Sequence, residues 1–307
     1  MNKKYGGIMA LAIFGCHPAF ADQGRYVVAK SGGDFTTINA ALAMGSSCLA
    51  PVVIDILPGV YNEDIRLTGA NACTHLRGAG MELTTIGAAG GSSPAIISMG
   101  ITCVSCQTPN AITISGVTVR GTGAQTGISA SYGVLTLSDS RVTSTTTATG
   151  ASYGIMIVRN SVIEGNVTGA SASYGSMHIE SSVIRNNSGA GIHGARYVVD
   201  NLIHSNGTGL ILTDQTSNPS TLDSISGNTI VGNRGDGIYN HSYSSLIIKD
   251  NKITNNGGND INMAPPSSTR WGIPPNLTVI AFNTYDKIVQ AGMKATYNIK
   301  SDGTPWP

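Results

Sequence analysis

The chain has 307 residues, of which 41% are hydrophobic and only 11% charged, well below the quarter or so usual in globular domains. Its 18 basic and 17 acidic residues give a net charge of +1 with no polybasic cluster, which excludes the electrostatic footprint of a nucleic-acid or anionic-lipid binder. Glycine, serine, threonine and asparagine are abundant, so uncharged polar groups must cover much of the surface.

Residues 1–21, MNKKYGGIMALAIFGCHPAFA, place two lysines before an apolar run from Ile8 to Phe14 and a small-residue pattern, Ala19-Phe20-Ala21. That order predicts a signal peptide cleaved before Asp22, with a run too short to span a bilayer, and hence a periplasmic or extracellular location. A rival reading makes IFGC a lipoprotein box acylated at Cys16, which Phe14 fits poorly. Losing Lys3 and Lys4 leaves 16 basic against 17 acidic residues, a mature charge of −1. Cys48, Cys73, Cys103 and Cys106 then remain, an even number that favours disulfides in an exported protein. Three connectivities are possible; the favoured one pairs Cys48 with Cys73 and Cys103 with Cys106.

The next segment reads YVVAKSGGDFTTINAAL and then IDILPGVYNEDIRL, between residues 26 and 67. It resembles the opening of pectin methylesterases and of the wider pectin lyase-like superfamily. The resemblance implies a capping helix over Asp34 to Met44 that closes the first coil of a solenoid and shields its edge. It does not extend to chemistry. The pectin methylesterase strings QDTL, DFIFG and GRPW are missing, as is the epimerase string DPHE, so fold is implied and ester hydrolysis is not.

ASYG recurs at 130–133, 151–154 and 172–175, a period of 21 residues. Repetition at this period marks a solenoid whose units bury their apolar faces on one another. One register fits six coils. An apolar column runs Leu137, Val158, Ile179, Val198, Ile225, Ile248, and a second Val142, Ile163, Ile184, Ile203, Ile230, Ile253. Polar columns run Ser140, Ser161, Ser182, Asn201, Asn228, Asn251 and Thr145, Asn166, Asn187, Asn206, Asn233, Asn256, with spacings of 21, 21, 19, 27 and 23 in both. Short β-branched runs of period two, punctuated by Asn, Ser and Gly, are strands. The predicted fold is all-β: a single right-handed parallel β-helix over 22–307, with coils from about 52 to 289. Its NxGxGI phrases place Gly where a tight turn joins two faces.

Function is read less directly. Tyr132, Tyr153 and Tyr174 fall in one slot of consecutive coils, followed there by His193, Ser220 and Tyr243. Such a ladder is either packing or a substrate-binding platform for pyranose rings. Alignment on GxGI places His193, Ile211, Tyr239 and Asn262 in one outward slot, Thr213 beneath His241, and Arg196 against Asp214, beside the inserted QTSNPSTLD. Arg196, Asp214, Tyr239 and His241 are therefore the candidate catalytic set of a lyase. Arg196 would hold a uronate carboxylate, Asp214 would orient it, and His241 or Tyr239 would take the α-proton. A plain surface ion pair is the competing account of Arg196 and Asp214. Glu164, Arg185 and His204, with Arg159 and Glu180 nearby, read as cross-strand charge pairs. After the last regular coil, a proline-rich loop precedes an irregular C-terminal cap at 290–307, and Trp271 and Trp306 pack or stack in these pieces.

The expectation is an exported protein whose partner is a polysaccharide or cell-surface glycan, possessing no membrane span. It acts on a uronate-containing glycan, or else binds without chemistry as an adhesin or scaffold. The sequence designates no metal ligands and no cofactor.

Overall fold

Stacked strands need side chains of one kind in every coil, because each residue lies over its equivalent about 4.8 Å away. The computed structural model describes residues 24–90, 93–100, 111–213, 223–242, 246–263, 278–289 and 294–306, and there the columns stack in the expected register. Leu137 pairs with Val158, then Ile179, Val198, Ile225 and Ile248, all of them buried. Burying each such side chain contributes roughly 1.5–3 kcal/mol.

One turn of the solenoid is Val134–Ser138, Arg141–Thr143, Thr147–Ala151, before Ile155–Arg159 begins the next. These strands build three parallel sheets, called here the first, second and third faces in the order the chain visits them. The first has twelve strands, from Gly24–Val28 to Lys294–Thr296, and the others ten each. Regular pairing thus extends beyond the coil limits of 52 and 289, into both expected end pieces. The fold is a single right-handed parallel β-helix.

Both turns flanking the second face are lined by the polar columns. In the first, Ser182 N–H donates to Asn201 Oδ1 at 2.9 Å, Asn201 N–H to Asn228 Oδ1 at 2.9 Å, and the series continues through Asn251 and Asn283 to Asn298. The second runs from Thr145 through Asn166, Asn187, Asn206, Asn233 and Asn256 to Asp260. A turn backbone cannot pair within a sheet, and the ladders supply its missing acceptors.

From the coil of Ala111–Ser115 onward each first-to-second-face turn contains a residue of positive φ: Gly116, Asp139, Asn160, Ser181, Asp200, Gly227, Asp250, then Phe282 and Tyr297. Glycines of the NxGxGI phrase behave otherwise. Gly191 has no positive φ; a Cβ there would lie 2.9 Å from Asn206 Nδ2 and from Gly209 O, so close packing on the ladder requires it.

A helix does form in the opening segment, but only over Ile38–Leu42 instead of 34–44. Thr37 Oγ1 accepts from Ala40 N–H, and Glu63 of PGVYNE crosses over to accept from the backbone of Ile38 and Asn39, both at 2.9 Å. Gly45, at φ 74°, ends it. Cys48 and Cys73 are bonded, their Cα atoms 5.0 Å apart; Cys103, Cys106, the leader and Trp271 lie outside the described residues. Trp306 packs on Tyr285 at 5.1 Å and donates Nε1–H to its carbonyl, so it fills the end of the solenoid. The charge column pairs across coils, with Arg185 to Glu164 at 2.7 Å and Arg159 to Glu180 at 2.6 Å. Among the described residues, no helix is long and apolar enough to cross a membrane, and no group of three or more His, Cys, Asp or Glu is placed to hold a metal ion.

Candidate functional site: a trough beside a tyrosine ladder

The ASYG motif builds the edge between the third and first faces. Its alanines, Ala130, Ala151 and Ala172, point into the core. The tyrosines point out, 42%, 60% and 49% exposed for Tyr132, Tyr153 and Tyr174. Coil-to-coil contact then leaves no room for a side chain: a Cβ at Gly154 would meet Gly133 O at 2.8 Å, and one at Gly175 would meet Gly154 O at 2.5 Å. Close approach of the backbones holds the rings in line. Their centroids are 5.5 and 5.3 Å apart and their planes within 11° and 7°. Parallel rings in contact lie about 3.5 Å apart plane to plane, so each slides sideways on the next by about 4 Å. They overlap like shingles and leave part of each face uncovered.

Beside the ladder lies the outer surface of the third face. Its central column is Arg66, Ser98, Ser129, Gly150, Ser171, His193, Ile211, Tyr239 and Asn262. Small residues in the middle make a shallow trough, with Arg66 near one end and the larger His193, Ile211 and Tyr239 towards the other. At the Arg66 end it opens into a hollow of about 530 Å³ lined by Arg66, Thr68, Ser98, Gly100 and Ser131.

His193 does not follow Tyr174 in the ladder slot as expected; it pairs with Ser171 on the trough floor. Six residues separate Ser171 from His178, but three separate their partners His193 and Tyr197, so this coil lacks the turn that would carry a fourth ring. At the other end Tyr132 pairs with Gly100, which has no ring either. Ser220 and Tyr243 lie outside the described residues.

Of the four candidate catalytic residues, two meet. Tyr239 is in the trough column, Thr213 pairs with His241, and the rings of Tyr239 and His241 stack at 6.1 Å. Asp214 lies outside the described residues. Arg196 is not on this surface, contrary to expectation. It immediately precedes Tyr197, in the inward column that holds Leu135, Met156 and Met177 in earlier coils, and is 7% exposed. Asp223 occupies that column in the next coil and is 8% exposed. Burial pushes its carboxyl up to about 6, against the opposing pull of Arg196. Burial likewise lowers the pKa of His193.

Residues 146–294 match the family model described as right handed beta helix region. Among solved structures, the A-module of Azotobacter vinelandii mannuronan C-5 epimerase AlgE4 superposes with a TM-score of 0.56 at 17% identity, covering 88% of this chain and 73% of that one. The fold is pectin lyase-like. A second structure, the A-module of mannuronan C-5 epimerase AlgE6 from Azotobacter vinelandii, gives 0.51 at 16% identity over 88% and 93%. Pectin methylesterase PemA from Erwinia chrysanthemi gives 0.44 at 17% identity over 88% and 80%. No curated protein matches the sequence.

Proposed function

We propose that the protein binds polysaccharide in the trough, its pyranose rings lying against the tyrosine ladder. The observation that carries this reading is the row of three overlapping, solvent-exposed rings beside a floor of Ser129, Gly150 and Ser171. A pyranose presents apolar C–H faces and a rim of hydroxyls, which suit an aromatic face beside serine and threonine hydroxyls. Mannuronan epimerases, named as acting on a polysaccharide, share the fold, which supports the same ligand class here. Export through the leader 1–21 would bring the protein to such ligands.

Binding without chemistry is favoured over uronate elimination. The lyase reading needs Arg196 in contact with a substrate carboxylate, and Arg196 faces the core instead. Affinity electrophoresis through gels containing alginate, polygalacturonate or amylose tests the reading. Retardation of the parent by at least one polysaccharide is expected, with about tenfold or more weaker retention after replacing Tyr132, Tyr153 and Tyr174 together by Ser. Equal retardation of parent and variant would remove the ladder from the account, and release of an ultraviolet-absorbing unsaturated product would restore the lyase.

A further inference from the structure

We infer a second carbohydrate-stacking site at Phe282 and Tyr297, near the C-terminal end of the solenoid and across the first face from the tyrosine ladder. In seven successive coils the left-handed residue of the first-to-second-face turn is Gly116, Asp139, Asn160, Ser181, Asp200, Gly227 or Asp250. Asp and Asn tolerate positive φ through local side-chain hydrogen bonds, and Gly lacks the Cβ that clashes. Phe282 and Tyr297 hold the same slot in the last two coils at φ 56° and 57°, with neither advantage.

No packing of these rings into the core offsets that strain. Phe282 is 59% exposed and Tyr297 79% exposed. They stack on each other, with centroids 5.2 Å apart and planes within 5°, the same shingled geometry as the tyrosine ladder. Local strain retained without a folding benefit points to a role outside the fold.

The adjacent slot of this column shows which ligand suits it. Asp250, one coil before Phe282, has a half-exposed carboxylate, and the half-exposed Lys249 ammonium lies 3.8 Å from it. An apolar shelf with a carboxylate, an ammonium and the Tyr297 phenol at its rim offers a pyranose both of its needs, a flat C–H contact and directional partners for hydroxyls. A lipid surface would instead require desolvating the Asp250 carboxylate.

The test combines two readouts on the full chain: thermal melting, and retention on immobilised alginate, polygalacturonate and amylose. Phe282→Asn with Tyr297→Asn places a residue tolerant of positive φ in both turns. The double variant should melt no lower than the parent while its retention falls about threefold to tenfold. Phe282→Tyr, which keeps the ring, should retain like the parent. The tyrosine-ladder triple variant should lose retention separately, so failure of one site is distinguishable from failure of the other. Unchanged retention of the double variant overturns the inference, as does a parent that binds none of the three. A melting temperature several degrees lower overturns it too, since the rings would then serve the fold. Loss of self-association on gel filtration, or of binding to phosphatidylglycerol vesicles, with polysaccharide retention intact would assign the platform to another partner.

Discussion

Asp223 follows Arg196 by one coil in an inward column that is apolar on either side, at Met177 and at Leu246. Two opposite charges thus share the core, and Asp223 Oδ1 has no hydrogen-bond partner among the described residues. Such a pair gains Coulomb attraction but gives up the hydration of both groups.

The first consequence is a dependence on pH. The folded state holds the Asp223 proton more tightly than the unfolded chain, since the folded pKa is about 6 against an ordinary 3.8. Its contribution is therefore fully present below about pH 4 and is lost as pH rises through about 6, roughly 2–3 kcal/mol in all. From urea melts, the stability of the parent should fall by that amount more than that of Asp223→Asn between pH 4 and 7. Parallel curves would show that Asp223 does not titrate this way.

Replacing the pair by the residues of its own column should be tolerated. Arg196→Met with Asp223→Leu restores the apolar sequence of neighbouring coils and is expected to be neutral or stabilising. Arg196→Met alone leaves the carboxyl unopposed and should cost about 3 kcal/mol at neutral pH. Chemical denaturation of both variants checks the order. A double variant less stable than the single one would mean the charges are coupled to something besides each other.

The asparagine ladder should fail at single positions. Asn206 Oδ1 accepts from Asn187 N–H at 3.1 Å and from Asn187 Nδ2 at 2.8 Å, while its own Nδ2 donates to Ile184 O and Asn233 Oδ1. Asn206→Ala leaves buried donors without partners, each costing about 1–3 kcal/mol. A total loss of roughly 3 kcal/mol is expected from the melting midpoint. A variant as stable as the parent would mean the ladder is not needed for satisfaction of the turn.

Gly154→Ala tests how the rings are held. The added Cβ would meet Gly133 O at 2.8 Å and the Tyr132 backbone at 3.1 Å. Overpacking of this kind costs about 1–3 kcal/mol, and here it should also splay Tyr132 from Tyr153. Reduced near-ultraviolet tyrosine dichroism together with weaker polysaccharide retention is expected; loss of stability alone would separate ring alignment from binding.

The core was legible in the sequence because parallel stacking repeats each environment once per coil, so Leu137 and Ile248 report the same column although five coils apart. Alignment on GxGI sets Arg196 outward because it carries the register through a coil that is three residues short between His193 and Tyr197. The correcting signal was available. Arg196 and Asp223 lie two positions before Val198 and Ile225, and period-two alternation then turns them inward whatever their charge. The exposed rings of Phe282 and Tyr297 had no such signal, because the turn columns are occupied by varied residues and only the observed φ reveals the slot. Nor did spacing show that the helix would end at Leu42, which is decided by the Gly45 backbone.

The ladder that ends at Asp260 also has a direction. In every asparagine rung the backbone N–H and one bond of the side-chain Nδ2 point to the Oδ1 of the later coil, while the second Nδ2 bond reaches a carbonyl of the earlier one. Aligned amide dipoles add, as they do along an α-helix, so the column carries partial positive charge at its C-terminal end. The group standing there is a carboxylate: Asp260 Oδ1 accepts from Asn256 Nδ2 at 3.0 Å, and Oδ2 accepts from the backbone of Asp286 and Lys287. An asparagine there would present its own donors to the next coil and ask for another rung. The carboxylate offers only acceptors, so it is a terminator, and coils can be added or lost before it without altering how the column stops.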